Sequence, residues 1–229
     1  MSKLEDMSVA SHMPFVGAVC SALGVAQVLE HGTGSYSTPL LASLVSRIIA
    51  VDNSAAWINK MRQVLPTTDI RLRHVPYDDN LRLANFTPAH VASLIEYYEK
   101  VAQELDQEAS RLLFVDGYPS ERMLVFNAIH HHFNYALAHD TELPRTSTPI
   151  DRYEDLVTKY HRYDYTCGPY LGFGMAGTSL FARQVLSDAE RERISDALKI
   201  TVNQFCVKFS VDPTQYPYTW GDSLRGNGA

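Results

Sequence analysis

The sequence predicts an α/β fold: a three-layer sandwich with helices on both faces of a mostly parallel, seven-stranded sheet that closes with a C-terminal antiparallel β-hairpin. Three observations carry this. Short apolar runs alternate with helix-period segments in the order β-α-β-α-β-α-β-α-β-α-β-β, and strands joined through helices pair in parallel. Two runs, IIAVD (48–52) and LLFVD (112–116), are apolar almost throughout, as in strands buried on both faces. Four runs end on an acid, at Glu30, Asp52, Asp116 and Asp140. That is the carboxyl edge of the sheet, where open parallel sheets bind ligands.

The elements follow in chain order. A helix over about residues 13–24 precedes the first strand, AQVLE (26–30). Ser37 or Thr38 can cap the next helix, with Pro39 in its first turn and Leu40, Leu41, Leu44 and Val45 on one face. After IIAVD comes a helix with Trp57, Ile58, Met61, Val64 and Leu65 on one stripe, stopped by Pro66. IRLRHV (70–75) alternates, as in a strand near the sheet edge. Thr87 caps the longest central helix, with Pro88 at its first position and Val91, Leu94, Ile95, Tyr98, Ala102 and Leu105 at helical spacing. LLFVD leads to a helix from Ser120 to Ile129, NYALAHD (134–140) is the fifth strand, and IDRYEDLVTKY is a short helix candidate. HRYDYTC and TSLFA form a hairpin through GPYLGFGMAG. A capping box, Ser187 to Glu190, starts the last helix. Residues 1–209 read as one domain, and 210–229, rich in Pro, Gly and polar residues, as an extended or partly disordered tail.

Composition narrows the partners. The chain has 229 residues, 45% of them hydrophobic, with a net charge of −6 and no basic stripe. That argues against nucleic acid and for a small-molecule substrate. Cys20, Cys167 and Cys206 stand far apart, the usage of a reduced, cytoplasmic protein. The acidic start MSKLEDMSVA predicts no signal peptide, and no apolar run is long enough to predict a membrane span. A homo-oligomer is compatible with all of this.

Gly32 and Gly34 let the backbone turn tightly against a ligand, and Asp52, about 20 residues on, can accept from two ribose hydroxyls. The plain alternative is a strand-to-helix turn, with Asp52 capping the next helix. No third glycine completes a dinucleotide fingerprint; Ser37 stands there. Glu30 would repel a pyrophosphate and suits an ammonium or sulfonium group. The tract His130–His132 reads as a helix end, because successive helical residues diverge by about 100° and do not face one ion.

Four stretches, VLEHGTGSYST, IIAVDNSAAW, LLFVDGYPSER and ALAHDTE, together resemble class I S-adenosylmethionine-dependent methyltransferases, particularly the small O-methyltransferase-like branch. The resemblance spans residues 13–182. It implies a Rossmann-like fold, S-adenosyl-L-methionine as cofactor, and O-methylation of a small-molecule or sugar-like hydroxyl. By that resemblance Glu30, Gly32 and Gly34 hold the methionine part, in a loop continued by Tyr36 and Ser37. Asp52 holds the ribose, Asn53 and Trp57 lie near the adenine, and Tyr77 in YDDN approaches its amino group. Tyr36 departs from the pattern, which has a last glycine there. DGYP replaces the (D/N)-P-P-(Y/F) of amino-group DNA methyltransferases.

Two chemistries are open at the far strand ends. Asp116 and Asp140 can ligate Mg²⁺, which acidifies an acceptor hydroxyl; metal-dependent members place carboxylates there. Alternatively, His139 is a general base beside them. The plain alternative has Asp140 capping its loop and His139 packed on the sheet. Two other classes remain: a non-catalytic module on the same fold, and another user of the cofactor, either an aminopropyl transferase or a cofactor-cleaving enzyme.

Overall fold

A computed structural model describes residues 7, 10–65, 70–75, 87–117, 119–141, 160–170 and 174–222. In chain order the elements are α1 (Met13–Ala22), β1 (Gln27–His31), α2 (Ser37–Leu44), β2 (Arg47–Asp52), α3 (Ala55–Val64), β3 (Ile70–His74) and α4 (Pro88–Gln103). There follow β4 (Arg111–Val115), α5 (Pro119–Ile129), β5 (Tyr135–His139), β6 (His161–Tyr170), β7 (Gly174–Ala182), α6 (Asp188–Phe209) and β8 (Tyr218–Asp222). The loop holding Tyr77, the candidate helix IDRYEDLVTKY up to its last residue, and the centre of GPYLGFGMAG lie outside the described residues.

One sheet runs β3-β2-β1-β4-β5-β7-β6-β8. β1 pairs in parallel with β2 and β4, β2 with β3, and β4 with β5. The hairpin β6–β7 enters antiparallel, with β7 beside β5. This is an α/β Rossmann-like fold with one strand more than expected. Tyr218–Asp222, read from sequence as part of a tail, pairs antiparallel with β6. Trp220 explains the docking: it packs 6.2 Å from Phe15 and its indole N–H donates to Ser195 Oγ at 3.2 Å.

The strands alternate across the sheet as the pleat requires. Val28, Ile48, Ala50, Leu112, Phe114 and Leu137 face one core, with α1, α2 and α6. Leu29, Ile49, Val51, Leu113, Val115 and Ala138 face the other, with α4 and α5. Helix starts are set by side chains: Ser54 and Thr87 accept from Trp57 N and His90 N, and Ser187 forms its capping box with Glu190. Each such cap is worth about 1 kcal/mol.

A candidate active site at the carboxyl ends of β1, β4 and β5

The strand order reverses between β1 and β4, and such a switch point opens a crevice beyond the strand ends. The pleat decides what faces it. Glu30, Asp116 and His139 keep the parity of Val28, Phe114 and Leu137, so all three lie on the α1 side. Asp116 follows the last β4 residue, but its N–H donates to the His31 carbonyl at 2.9 Å and carries the ladder one step further.

Glu30 is fully buried. Its Oε2 accepts from Thr38 Oγ1 at 2.7 Å, and that hydroxyl accepts from Gly34 N at 2.9 Å. Among the described residues Oε1 has no hydrogen-bond partner. Burial pushes the carboxyl up to about 8, against the pull of the Ser37 and Thr38 hydroxyls. On the opposite face, His31 Nδ1 meets the Tyr98 hydroxyl at 2.6 Å, and burial lowers the imidazole to about 3.

The glycine loop is held tightly. Gly32 has φ +90°, and a Cβ there would lie 2.3 Å from Gly117 Cα, so the β1 and β4 loops touch backbone to backbone. Asp52 grips the loop: Oδ2 accepts from Thr33 N (2.9 Å) and Thr33 Oγ1 (3.0 Å), and Oδ1 from Ser54 N (2.8 Å). The Trp57 indole N–H donates to the Thr33 carbonyl at 2.5 Å, and Lys60 Nζ sits 4.4 Å above the ring. The Asn53 carbonyl accepts from His74 Nε2 at 3.1 Å. Asp52 and Trp57 therefore hold the protein's own loop as well as flanking it.

Tyr36, where the resemblance expects a glycine, stands at the N-cap position of α2. Its ring packs on Phe209 at 6.0 Å with Lys208 Nζ 5.2 Å away. It caps α2 toward α6 instead of standing in the glycine turn, because the loop has already entered the helix by Ser37, which is buried.

At the ends of β4 and β5 a polar cluster is buried. The Arg122 guanidinium bridges the acids, donating Nη2 to Asp116 Oδ1 (3.3 Å) and Nη1 to Asp140 Oδ2 (2.8 Å). It also donates Nη1 to the His139 carbonyl and Nε to the Gly117 carbonyl, at 3.1 and 2.8 Å. The structure thus sets a guanidinium where the sequence reading set Mg²⁺ between Asp116 and Asp140. Asp140 has left-handed backbone, φ 57°, a conformation that Asp tolerates better than most residues. Burial raises the Asp140 carboxyl, but His139 and Arg122 outweigh it and hold it below its usual range. Burial raises Asp116, which His12 and Arg122 only partly offset.

His139 Nδ1 lies 3.0 Å from Thr178 Oγ1, its partner in the β5–β7 register. Its Nε2 lies 3.4 Å from Ser11 Oγ and 3.4 Å from Asp140 Oδ1. His12, just before α1, fills the remaining side: its ring lies 4.8 Å from His139 and its Nδ1 3.7 Å from Asp116 Oδ2. Among the described residues neither His12 nitrogen has a hydrogen-bond partner. Burial lowers His12 to about 4 and also lowers His139, so both rings are neutral near pH 7.

The structure brings Glu30, Gly32, Gly34, Asp52, Asp116, His139 and Asp140 to one edge. His12, Thr33 and Arg122 are the residues sequence reasoning missed. Arg122 closes the quoted run LLFVDGYPSER and signals itself as a cation shortly after the strand-end acid Asp116; His12 carries no spacing signal.

No protein-family model and no curated protein matches this sequence. Among solved structures, it is similar to the N-methyltransferase NodS from Bradyrhizobium japonicum WM9, at 12% identity over 79% of this chain and 96% of that one, TM-score 0.49. It is also similar to human methyltransferase-like protein 13 in complex with SAH, at 11% identity over 88% and 92%, TM-score 0.48. An rRNA methylase from Streptococcus thermophilus matches at 13% identity over 76% and 97%, TM-score 0.45. Likeness at this level carries no argument about substrate or reaction. Among the described residues no helix is long and apolar enough to cross a membrane.

Proposed function

We propose that this chain is an S-adenosylmethionine-dependent methyltransferase acting on a hydroxyl group of a small molecule. The observation that supports it most is the shared face of the sheet: Glu30 at the end of β1 and the His12–Asp116–His139 cluster at the ends of β4 and β5 lie across one switch point. The residues fit the cofactor at one telling position. Glu30 Oε1 is a buried acceptor without a hydrogen-bond partner among the described residues, and the positive charge of an ammonium or sulfonium group would suit it. Gly32 to Gly34 would border the methionine part, and Asp52 the ribose. The bound cofactor supplies an electrophilic methyl group.

The chain's own residues do the rest. Asp116 and His139 flank His12, whose unpartnered nitrogens make it the acceptor for the hydroxyl proton. Asp116, 3.7 Å from Nδ1, stabilises the imidazolium that forms. Thr178 fixes the His139 ring, and His139 is the positioning neighbour of His12. Arg122 bridges both acids and helps hold Asp140 below its usual range. The apolar walls, Phe114 among them at 5.5 Å from the His12 ring, exclude water.

A specific observation favours a second reading, a non-catalytic module: Asp52 already accepts three donors from the protein. Calorimetric titration with S-adenosylmethionine separates the two. Binding, followed by EDTA-insensitive transfer of a labelled methyl group to members of a small-hydroxyl panel, is the expected result. No binding at millimolar cofactor overturns the enzyme reading.

A further inference from the structure

The tract His130–His132 lies at the other, amino-terminal edge of the sheet, just before β5, and the proposed methyl transfer makes no use of it. It continues α5 as one 3-10 turn. His130 leaves the group by pairing its Nδ1 with the Tyr160 hydroxyl. The His131 and His132 rings, however, lie 4.1 Å apart and both turn to Glu99 of α4. His132 Nε2 is 2.5 Å from Glu99 Oε2 and His131 Nε2 is 3.8 Å from Glu99 Oε1. One ligand atom from each residue falls within 4.8 Å of the others.

The donor set is informative. Two imidazoles and one carboxylate suit Zn²⁺ and the neighbouring first-row dications, whereas Mg²⁺ and Ca²⁺ demand more oxygen. Bonds of about 2.0–2.2 Å in a tetrahedron separate ligand atoms by about 3.3 Å, between the two spacings observed. Access is open: the side chains are 53%, 18% and 28% exposed at His131, His132 and Glu99. We propose that Glu99, His131 and His132 form a binding site for a divalent transition metal of the zinc class, with water in the remaining position. The ion would clip α4 to the turn that feeds β5, the strand whose far end carries His139.

The test uses tag-free, full-length protein stripped with chelator. It is titrated with Zn²⁺ by calorimetry and with Co²⁺ by visible absorption. One equivalent of each is expected, with the d–d bands of four-coordinate Co²⁺ bleached by Zn²⁺. Glu99→Gln and His132→Asn should each weaken Zn²⁺ at least tenfold, while His12→Asn leaves affinity within twofold; circular dichroism verifies that each variant is folded. The proposal is overturned if the parent protein takes up no equivalent. It is equally overturned if the His131→Asn/His132→Asn double variant binds as tightly as the parent, or if the loss follows His12→Asn instead.

Discussion

Glu30→Gln offers a direct reading of how the β1 end is built. Glu30 is fully buried, and burial raises its carboxyl from the ordinary 4.5 to about 8. Between those two values the folded chain keeps a proton that the unfolded chain has released. The contribution of Glu30 to stability therefore falls as pH rises from 4.5 to about 8 and is flat beyond. At about 1.4 kcal/mol per pH unit the full span corresponds to about 5 kcal/mol. Relaxation and water entry around the ion reduce the observable part to about 2–4 kcal/mol. Gln mimics the protonated acid and does not titrate, so the variant loses this slope. The assay is urea denaturation of both proteins at pH 5 and pH 9, compared as the difference of differences. Buried histidines contribute equally to both proteins and cancel. The parent should lose about 2–4 kcal/mol more than the variant over that range. A difference below about 1 kcal/mol would refute the buried, unpaired carboxyl.

Three further outcomes follow from the same structure. If a cationic cofactor group meets Glu30, binding at pH 7 should expel most of one proton, visible as buffer-dependent enthalpy in calorimetry; buffer-independent heats would remove Glu30 from the contact. Gly32→Ala should cost about 3 kcal/mol or more in thermal denaturation, because its Cβ meets Gly117 backbone at 2.3 Å and φ is +90°; a near-neutral variant would contradict the loop contact. On the acid side, His12 and His31 are neutral when folded, with values lowered to about 4 and 3. Below 6.5 the unfolded chain binds the extra protons, so in the Glu30→Gln background, where the opposing carboxyl is removed, stability should fall as pH drops toward 4, and a flat profile there would count against their burial.

Much of this architecture was legible in the sequence because parallel strands flanked by helices are apolar on both faces. IIAVD and LLFVD became β2 and β4 nearly as read, and the four terminal acids did fall at one edge. What escaped was geometry between distant segments. Nothing local to His12 says that it closes on Asp116 and His139, and Arg122 occupies a helix position whose pattern records only a polar residue. The packing of Tyr36 on Phe209 was not legible, because a substitution in a glycine motif does not tell which way the backbone leaves the turn. The strand in the tail was not legible because Pro and Gly around Trp220 signal irregular chain, while the pairing that makes it β8 is supplied by β6.

That added strand has a bearing on how copies of this chain meet one another. An open sheet ends in two unpaired rims, each a template for a neighbouring molecule. One rim, β3, carries Arg71 and Arg73, both tied to Glu104, and charge of this kind discourages stacking. The other would be β6, ten residues long and rich in tyrosine. β8 covers its central stretch, Tyr163 to Cys167, with five residues ending in Asp222. The C-terminal segment thus replaces a ten-residue rim with the five-residue rim of β8.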